Sequence, residues 1–398
     1  MSEPRWKARA RARLVGQPRQ RLRVSELLDV AGGPPCVLPW TRLEVSTRRL
    51  LGPCCPDYQA APTAAPDPLD LGAAWNGAQM RAFRRALGGA GRVHDTCRQS
   101  CPILQGGRES TGEMRLVGGS AAFVDNQLLA LEDVLAGREH ASAAPLELMV
   151  VPTTFCNYNC LMCEWGEEGT LDDELPASFY ESLSPWLPTL RAFELAGGEP
   201  LASPVFRAFL ESLDVARAPD LRLSLVTNGS YLTDAVQDRL ASLPWATLTI
   251  SINAATPELY AAVNRGLPYG RVRGHLDALI ARRRRREISG GLTYSMVLLR
   301  QNHHEIEAFA RMAERDGAEV RFMLPMFDRN GESIMTDASA MHRSHAALER
   351  VAGRLKAAGA DRQARGVLGE ARVLAQRLAA GLCSPLPDGR AHPSEASS

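Results

Sequence analysis

The chain has 398 residues, 45% of them apolar and 23% charged, which is the balance of a folded globular protein and excludes a fibrous or wholly disordered chain. At roughly 100–200 residues per domain this length suits two or three domains. Forty-six basic against 45 acidic residues give a net charge of +1, so charge carries no sign of a nucleic-acid binder. No apolar run approaches the ~18–20 residues of a membrane helix.

Residues 1–24 hold eight basic residues and one acidic residue. No apolar stretch follows them, so a secretory signal is not expected. They read as a solvated basic arm, with bounds 1–32, and the expected location is cytoplasmic. Nine cysteines, an odd number, then point to metal or redox chemistry rather than a disulfide framework.

Five cysteines lie in the first quarter: Cys36, Cys54, Cys55, Cys97 and Cys101. Cys36 opens a segment that alternates as TRLEVS and turns near 47–49 into LLGPCCPDY. A Pro/Ala-rich loop (59–68), the block LGAAWNGAQMRAFRRAL and Cys97-Arg-Gln-Ser-Cys101-Pro102 follow. Four such thiols also suit a structural zinc site. Residues 106–144 carry no cysteine and read as a connector. Within it Leu128, Leu129, Leu131 and Leu135 give a helical face between Asp125 and Ala136.

From Leu146 strands and helices alternate. Strand-like runs are predicted at 146–154, 192–196, 221–227, 247–254, 292–299 and 320–324. The clearest helix is Glu305–Asp316, where Ile306, Phe309, Ala310 and Ala313 share a face and Gly317 supplies the stop. This order predicts an α/β fold with a parallel sheet and right-handed crossovers. Six βα units are too few for a closed eight-fold barrel, so an open partial barrel is expected over 145–330. C-terminal helices (331–382) and a polar tail (383–398) containing Cys383 would follow. Arg282–Arg286 reads as a solvated helix C-terminus.

In such barrels chemistry sits at the C-terminal strand ends. Those ends carry the Cys156–Cys163 loop, Gly197-Gly198-Glu199-Pro200, Thr227-Asn228-Gly229, Ser251 with Asn253, and Arg300 with Asn302. Cys156, Cys160 and Cys163 have the spacing C-x3-C-x2-C. Three thiolates on one tight loop can each hold one iron of a cubane cluster and leave the fourth iron open. The alternatives are a zinc site completed by His303 or His304, and three buried cysteines without metal.

That cysteine loop, with GGEP, TNG, SINAATPELY and LLRQNHHEIEAFARMAERDGAEVRFM, resembles the radical S-adenosylmethionine (radical SAM) enzymes over residues 145–330. The resemblance implies a partial (β/α)6 barrel with a [4Fe-4S] cluster on Cys156, Cys160 and Cys163. SAM would chelate the open iron and be cleaved to methionine and a 5′-deoxyadenosyl radical that abstracts a substrate hydrogen. Gly197 and Gly198 would let the backbone approach the methionyl end of SAM. Glu199 would accept from the SAM ammonium or hold the loop that does. Asn228, Ser251 and Asn253 would bond the ribose or carboxylate, and Arg300 would pair with the carboxylate. The same polar residues also suit strand-end caps and turns, as Asn228-Gly229 does on its own. Met162 stands where the family often carries an aromatic residue.

Residues 33–105 resemble the twitch/SPASM-type accessory domain, a small α+β iron–sulfur domain. The resemblance rests on the cysteines, Trp75-Asn76, Arg81 or Arg84, and the C-x3-C-P ending. It implies an auxiliary [4Fe-4S] cluster on Cys36, Cys54, Cys97 and Cys101, with Cys55 as the alternative to Cys54. Such a domain usually follows the barrel, and here it precedes it. The expected activity is redox modification of a peptide or protein, with a flavodoxin or ferredoxin as reductant and neither nucleic acid nor membrane as partner. Residues 1–35 are short for a leader-binding domain, which keeps a second reading open: dehydrogenation or epimerisation of a small sugar-like or aminocyclitol metabolite. A zinc-binding structural or regulatory protein is the alternative of another class. No acid, base or hydrogen donor for the substrate is named by the sequence.

Overall fold

Alternation of β-branched and apolar residues with polar ones builds the strands of this chain. A computed structural model describes residues 4–28, 36–47, 51–54, 70–88, 94, 95, 97, 101, 114–163, 173–266, 268–325 and 328–383. In chain order the strands among them are β1 (Arg21–Arg23), β2 (Arg42–Ser46), β3 (Leu51–Gly52), β4 (Arg115–Val117), β5 (Glu147–Val151), β6 (Asn159–Cys160), β7 (Ala192–Leu195), β8 (Arg222–Thr227), β9 (Trp245–Ser251), β10 (Asn264–Arg265), β11 (Gly291–Val297) and β12 (Glu319–Met323). Strands β5, β7, β8, β9, β11 and β12 are the six that the sequence predicts. Helices at Ala177–Ser182, Pro204–Ser212, Asp234–Ala241, Pro257–Val263, Tyr269–Arg284 and Ile306–Asp316 fall between them. The 59–68 loop, Cys55, part of the 47–49 turn and the tail from 384 onward lie outside the described residues.

The chain divides into two compact units. One comprises Met1–Pro152, Leu175–Leu195 and Ala208–Leu223, the other Thr153–Glu174, Ala196–Arg207 and Ser224–Ser398. In the first unit β2 pairs in parallel with β5, and β5 with β7, while β3 runs antiparallel to β2. The hairpin near the N-terminal cysteines therefore extends the ladder of β5. A separate two-stranded ladder joins β1 to β4, with Leu22 opposite Leu116.

Two sequence expectations change here. Residues 4–28, the described part of 1–32, do not form a solvated arm. Arg5–Leu14 is a helix whose Ala10 and Leu14, one turn apart, are fully buried. Nor do residues 114–144, the described part of 106–144, merely connect. Helix Ala121–Leu135 is capped by Ser120, and its Phe123, Val124, Leu128 and Leu131 share one apolar core with Ala10, Leu14, Leu22 and Leu116. Burying a leucine of this kind is worth roughly 1.5–3 kcal/mol. The arginines of the first helix stay at its rim, where Arg11 pairs with Asp125 at 2.7 Å.

In the second unit β9, β11 and β12 run parallel, with Leu248 opposite Leu292 and Tyr294 opposite Val320. Leu248, Ile250, Leu292, Tyr294 and Met296 are buried on one face, and Thr247, Thr249, Thr293 and Ser295 alternate with them. Strand β9 ends at Ser251, short of the expected Ala254. Asn253 adopts φ 60°, a left-handed conformation that an extended ladder excludes. Helix Ile306–Asp316 stops at Gly317, φ 69°, where the sequence places the stop. Helices Ala338–Ala357 and Asp361–Ala379 pack along each other through Leu348, Val351, Val367 and Leu374. Among the described residues no helix is long and apolar enough to cross a membrane.

Candidate functional site

The loop bearing Cys156, Cys160 and Cys163 begins where the chain leaves β5, and its first half is tied down by backbone. Gly198 N donates to Thr153 O at 3.1 Å, and Glu199 N donates to Phe155 O at 2.7 Å. Thr154 N donates to Asp173 O, and Thr154 Oγ1 accepts from Asp173 N, both at 2.9 Å. A Cβ on Gly198 would stand 2.2 Å from Phe155 O, so this position admits only glycine. On the side where a Cβ would stand, Gly198 meets the cysteine loop's own carbonyls, Phe155 O and Thr154 O. Gly197 has φ 130°, the conformational freedom that lets the turn form.

The second half of the loop is held by a short ladder. Strand β6 pairs antiparallel with β10, which sets Cys160 opposite Asn264. Leu161 N donates to Val263 O at 2.9 Å, and Asn330 Nδ2 donates to Leu161 O at 2.8 Å. Tyr158 and Tyr260 join their hydroxyls at 2.8 Å in the interior. Met162 packs on a small apolar cluster of Leu161, Val263 and Leu299. The expected polar loop is thus a built structure with an apolar underside.

The three thiols are partly buried and interact electrostatically. Burial pushes the Cys156 thiol up to about 12, with the charges of Glu199 and Cys163 adding to it. Cys160 is raised well above the ordinary thiol range by burial and by the thiolates of Cys163 and Cys156. Three thiolates here would repel one another without a cation between them, and a bound metal deprotonates its thiol ligands outright. This donor set fits an iron–sulfur cluster with three protein ligands. Among the described residues no three of His, Cys, Asp and Glu are drawn together closely enough to hold a single metal ion. His303, one of the two histidines suggested as a fourth zinc ligand beside His304, has both ring nitrogens engaged, by Arg300 O at 2.8 Å and Arg343 Nε at 3.1 Å.

Glu199 is fully buried. Its Oε1 accepts from Thr227 Oγ1 at 2.7 Å and Leu201 N at 3.1 Å, and its Oε2 accepts from Asn228 N at 2.7 Å. Burial pushes its carboxyl up to about 7 against the pull of these three donors. Of the two roles expected for Glu199, the geometry is that of holding the loop. Asn228 Oδ1 accepts from Ser230 N at 2.9 Å, which aims Nδ2 at Asn157 Oδ1 (3.0 Å) and Cys156 Sγ (3.8 Å).

Of the remaining expected contacts, Asn253 and Arg300 are placed differently. Asn253 is buried with its side chain spent on Val297 N (2.9 Å) and Asn264 Oδ1 (2.8 Å). Ser251 Oγ accepts from Ser295 Oγ at 3.3 Å. Arg300 is exposed and turned to Asp337 at 3.9 Å and to Gly331 O. Asn253 and Arg300 therefore hold the protein's own loops. Asn157, Ser230 and Asn264 are the residues that sequence reasoning passed over. Asn157 could have been found as one of the two asparagines inside C-N-Y-N-C, but nothing local marks Asn264.

The N-terminal cysteines sit in the first unit. Cys36 and Cys97 pack against one apolar cluster of Trp40, Phe83, Leu87 and Val134. Cys101 N donates to Cys97 O at 3.1 Å, and Cys54 follows β3. Around them Arg84 is fully buried and donates to Pro39 O, Trp75 O, Glu139 O and Asn76 Oδ1 at 2.8–3.2 Å. Its guanidinium lies 4.3 Å above the Trp75 ring, and burial lowers it to about 10. Between Arg81 and Arg84 the structure selects Arg84 as the organising residue. Cys383 is exposed.

Comparison with known proteins bears on the second half of this picture. The profile of the radical SAM superfamily matches residues 150–313. The mycofactocin maturase MftC of Mycobacterium tuberculosis is 28% identical over 203 residues, covering 50% of this chain and 49% of that protein. MftC of Mycolicibacterium smegmatis is 30% identical over 189 residues, 46% of this chain and 45% of the relative. The chain thus spans about half the length of these relatives. Among solved structures, Streptococcus suis SuiB bound to precursor peptide SuiA has a TM-score of 0.42 at 15% identity, covering 70% of this chain and 63% of that one. The matched segment contains the cysteine loop, Glu199, Asn228 and the strands that carry them, and over that segment the chain matches the radical SAM superfamily.

Proposed function

We propose that this chain is a radical SAM enzyme that modifies a peptide or protein by redox chemistry. The observation that carries the reading is the cysteine triad on a loop prebuilt by Gly198, Glu199 and the β6–β10 ladder. Bound at Cys156, Cys160 and Cys163, a [4Fe-4S] cluster and SAM supply one-electron cleavage of SAM and a radical for hydrogen abstraction. The chain's own residues do the positioning. Glu199 locks Asn228, Asn228 steers its amide N–H towards Cys156 Sγ, and Gly198 holds the loop against the turn after β7. Ser251 keeps an oxygen at the end of β9 for a polar ligand. The maturase name of the relatives supports a precursor substrate over a free metabolite.

Cys36, Cys54, Cys97 and Cys101 are proposed to hold an auxiliary [4Fe-4S] cluster that exchanges electrons with the substrate. Cys36 and Cys97 on one apolar cluster, and Cys97 and Cys101 one turn apart, support that set. A flavodoxin or ferredoxin is the proposed reductant. The test is anaerobic reconstitution with iron counts and SAM cleavage under a low-potential reductant. The expected result is about eight irons per chain in wild type, and about four in Cys156/Cys160/Cys163→Ala or in Cys97/Cys101→Ala. SAM cleavage should be lost only in the loop triple. Equal iron in wild type and the Cys97/Cys101 variant would remove the auxiliary cluster. Zinc in place of iron after anaerobic purification and reconstitution would remove the radical reading.

A further inference from the structure

Asn264 lies directly across the β6–β10 ladder from Cys160, and its Oδ1 stands 3.6 Å from Cys160 Sγ. It is 1% exposed. An asparagine amide can in principle turn either edge to a neighbour, so its orientation has to be argued from groups that have no choice. Two such groups fix it.

The first is Val297 N–H, which can only donate. It faces Asn253 Oδ1 at 2.9 Å, so Asn253 Nδ2 must point the other way, to Asn264 at 2.8 Å. Asn264 must therefore answer with oxygen. The second is Ile252 O, which can only accept and takes the Nδ2 of Asn264. Asn302 closes the frame. Its Nδ2 donates to Asn253 O and Val297 O, and its Oδ1 accepts from Leu299 N, all at 2.7–2.9 Å. Turning the Asn264 amide over would set Nδ2 against Nδ2 at Asn253 and oxygen against oxygen at Ile252. Two buried pairs would break at once.

We propose that Asn264 is a redox-positioning residue, which holds the potential of the cluster on the cysteine loop low by presenting a fixed amide oxygen to the Cys160 sulfur. The proposal rests on the reading that Cys156, Cys160 and Cys163 bind that cluster. Hydrogen bonds and dipoles at the sulfurs are among the levers that set such potentials. A donor turned to sulfur stabilises the added electron. An acceptor turned to sulfur opposes it, strongly in a buried setting of low dielectric. Across the loop Asn228 offers Cys156 a donor, while Asn264 offers Cys160 an acceptor. A low potential is what one-electron cleavage of SAM demands of its donor.

The test is a redox titration of the reconstituted chain without SAM. A low-potential chemical reductant is used under anaerobic conditions, and the reduced cluster is counted by electron paramagnetic resonance. In Asn264→Ala the ratio of reduced to oxidised cluster at a fixed solution potential should rise about tenfold, equivalent to about 59 mV for a one-electron couple. Asn264→Asp keeps an oxygen at Cys160 whether or not it is protonated. It fills the same volume, so its ratio should equal the wild-type ratio or fall. Cys97/Cys101→Ala serves as the background, so that a single cluster is read. An unchanged or lower ratio in Asn264→Ala overturns the proposal, and so does an equal rise in both variants, which would mark solvent entry. Wild type that assembles no loop cluster at all fails the underlying reading instead. A cluster present with normal iron and no shift in Asn264→Ala fails this inference alone.

Discussion

The cysteine loop of the second unit and the cysteines of the first unit are held by different kinds of bond. The loop is fixed backbone to backbone: Gly198 N on Thr153 O, Glu199 N on Phe155 O, Leu161 N on Val263 O. Around Cys36 and Cys97 the fixing is done by long side chains reaching over many residues. Arg84 gathers Pro39, Trp75, Asn76 and Glu139, and Trp40 Nε1 donates to Arg138 O at 2.8 Å. A backbone-tied loop tolerates changes in its side chains as long as its glycine and its capping carboxylate remain. A side-chain-tied region depends on single residues, and one substitution can open it.

The largest stability change should therefore come from the first unit. Arg84→Met leaves the carbonyls of Pro39 and Trp75 without the buried guanidinium that bonds them. At about 1–3 kcal/mol for each of these two groups, a loss of roughly 2–6 kcal/mol is expected. Urea unfolding checks it, and a loss within about 1 kcal/mol would show that the arginine network is not what holds the region.

Next is Glu199→Gln, which sets an NH2 against one of three donors and should cost about 1–3 kcal/mol. It should also lower the iron retained by the loop while leaving Arg84-dependent stability intact. Thermal unfolding with iron counts reads both. Equal iron retention in Glu199→Gln would show that Asn228 does not need the carboxylate to stay in place.

The third expected effect is on pH. The Glu199 carboxyl lies near 7 in the fold, against an ordinary value of 4.5. The native state then keeps a proton that the unfolded chain has released. Its contribution to stability is full below about 4.5 and is lost as pH rises towards 7. Metal-free protein should lose stability across that window, and Glu199→Gln should flatten the slope. A wild-type slope unchanged in the variant would assign the dependence to other groups.

Much of the second unit could be read from sequence because its signals are local. Alternation in LRLSLVT, the β-branched run TLTIS and the apolar face ending at Gly317 each need only a few neighbouring residues. The placement of Glu199 and Asn228 on adjacent strand ends follows from the same local pattern. What the sequence hides depends on distant pairing. The first helix has two small contacts to bury, Ala10 and Leu14, among many arginines. Only its partners some 110 residues later, Phe123 and Leu128, make it part of a core. The same holds for Asn253, whose left-handed backbone and paired amide turn an expected ligand contact into a corner of the framework. Arg300 misleads for another reason. An exposed arginine at a strand end is chemically suited to a carboxylate, and Asp337 of its own chain supplies one.

The contact between Gly198 and the Phe155 carbonyl bears on how the protein survives loss of its metal. At that point the turn after β7 and the start of the cysteine loop fit with no atom to spare. The fit is made of carbonyls and glycine, and metal has no part in it. The loop is therefore a standing mould for its cargo. None of these contacts runs through a thiol, so a change at Cys156, Cys160 or Cys163 would leave the mould standing, with a single hydrogen atom at position 198 giving it its clearance.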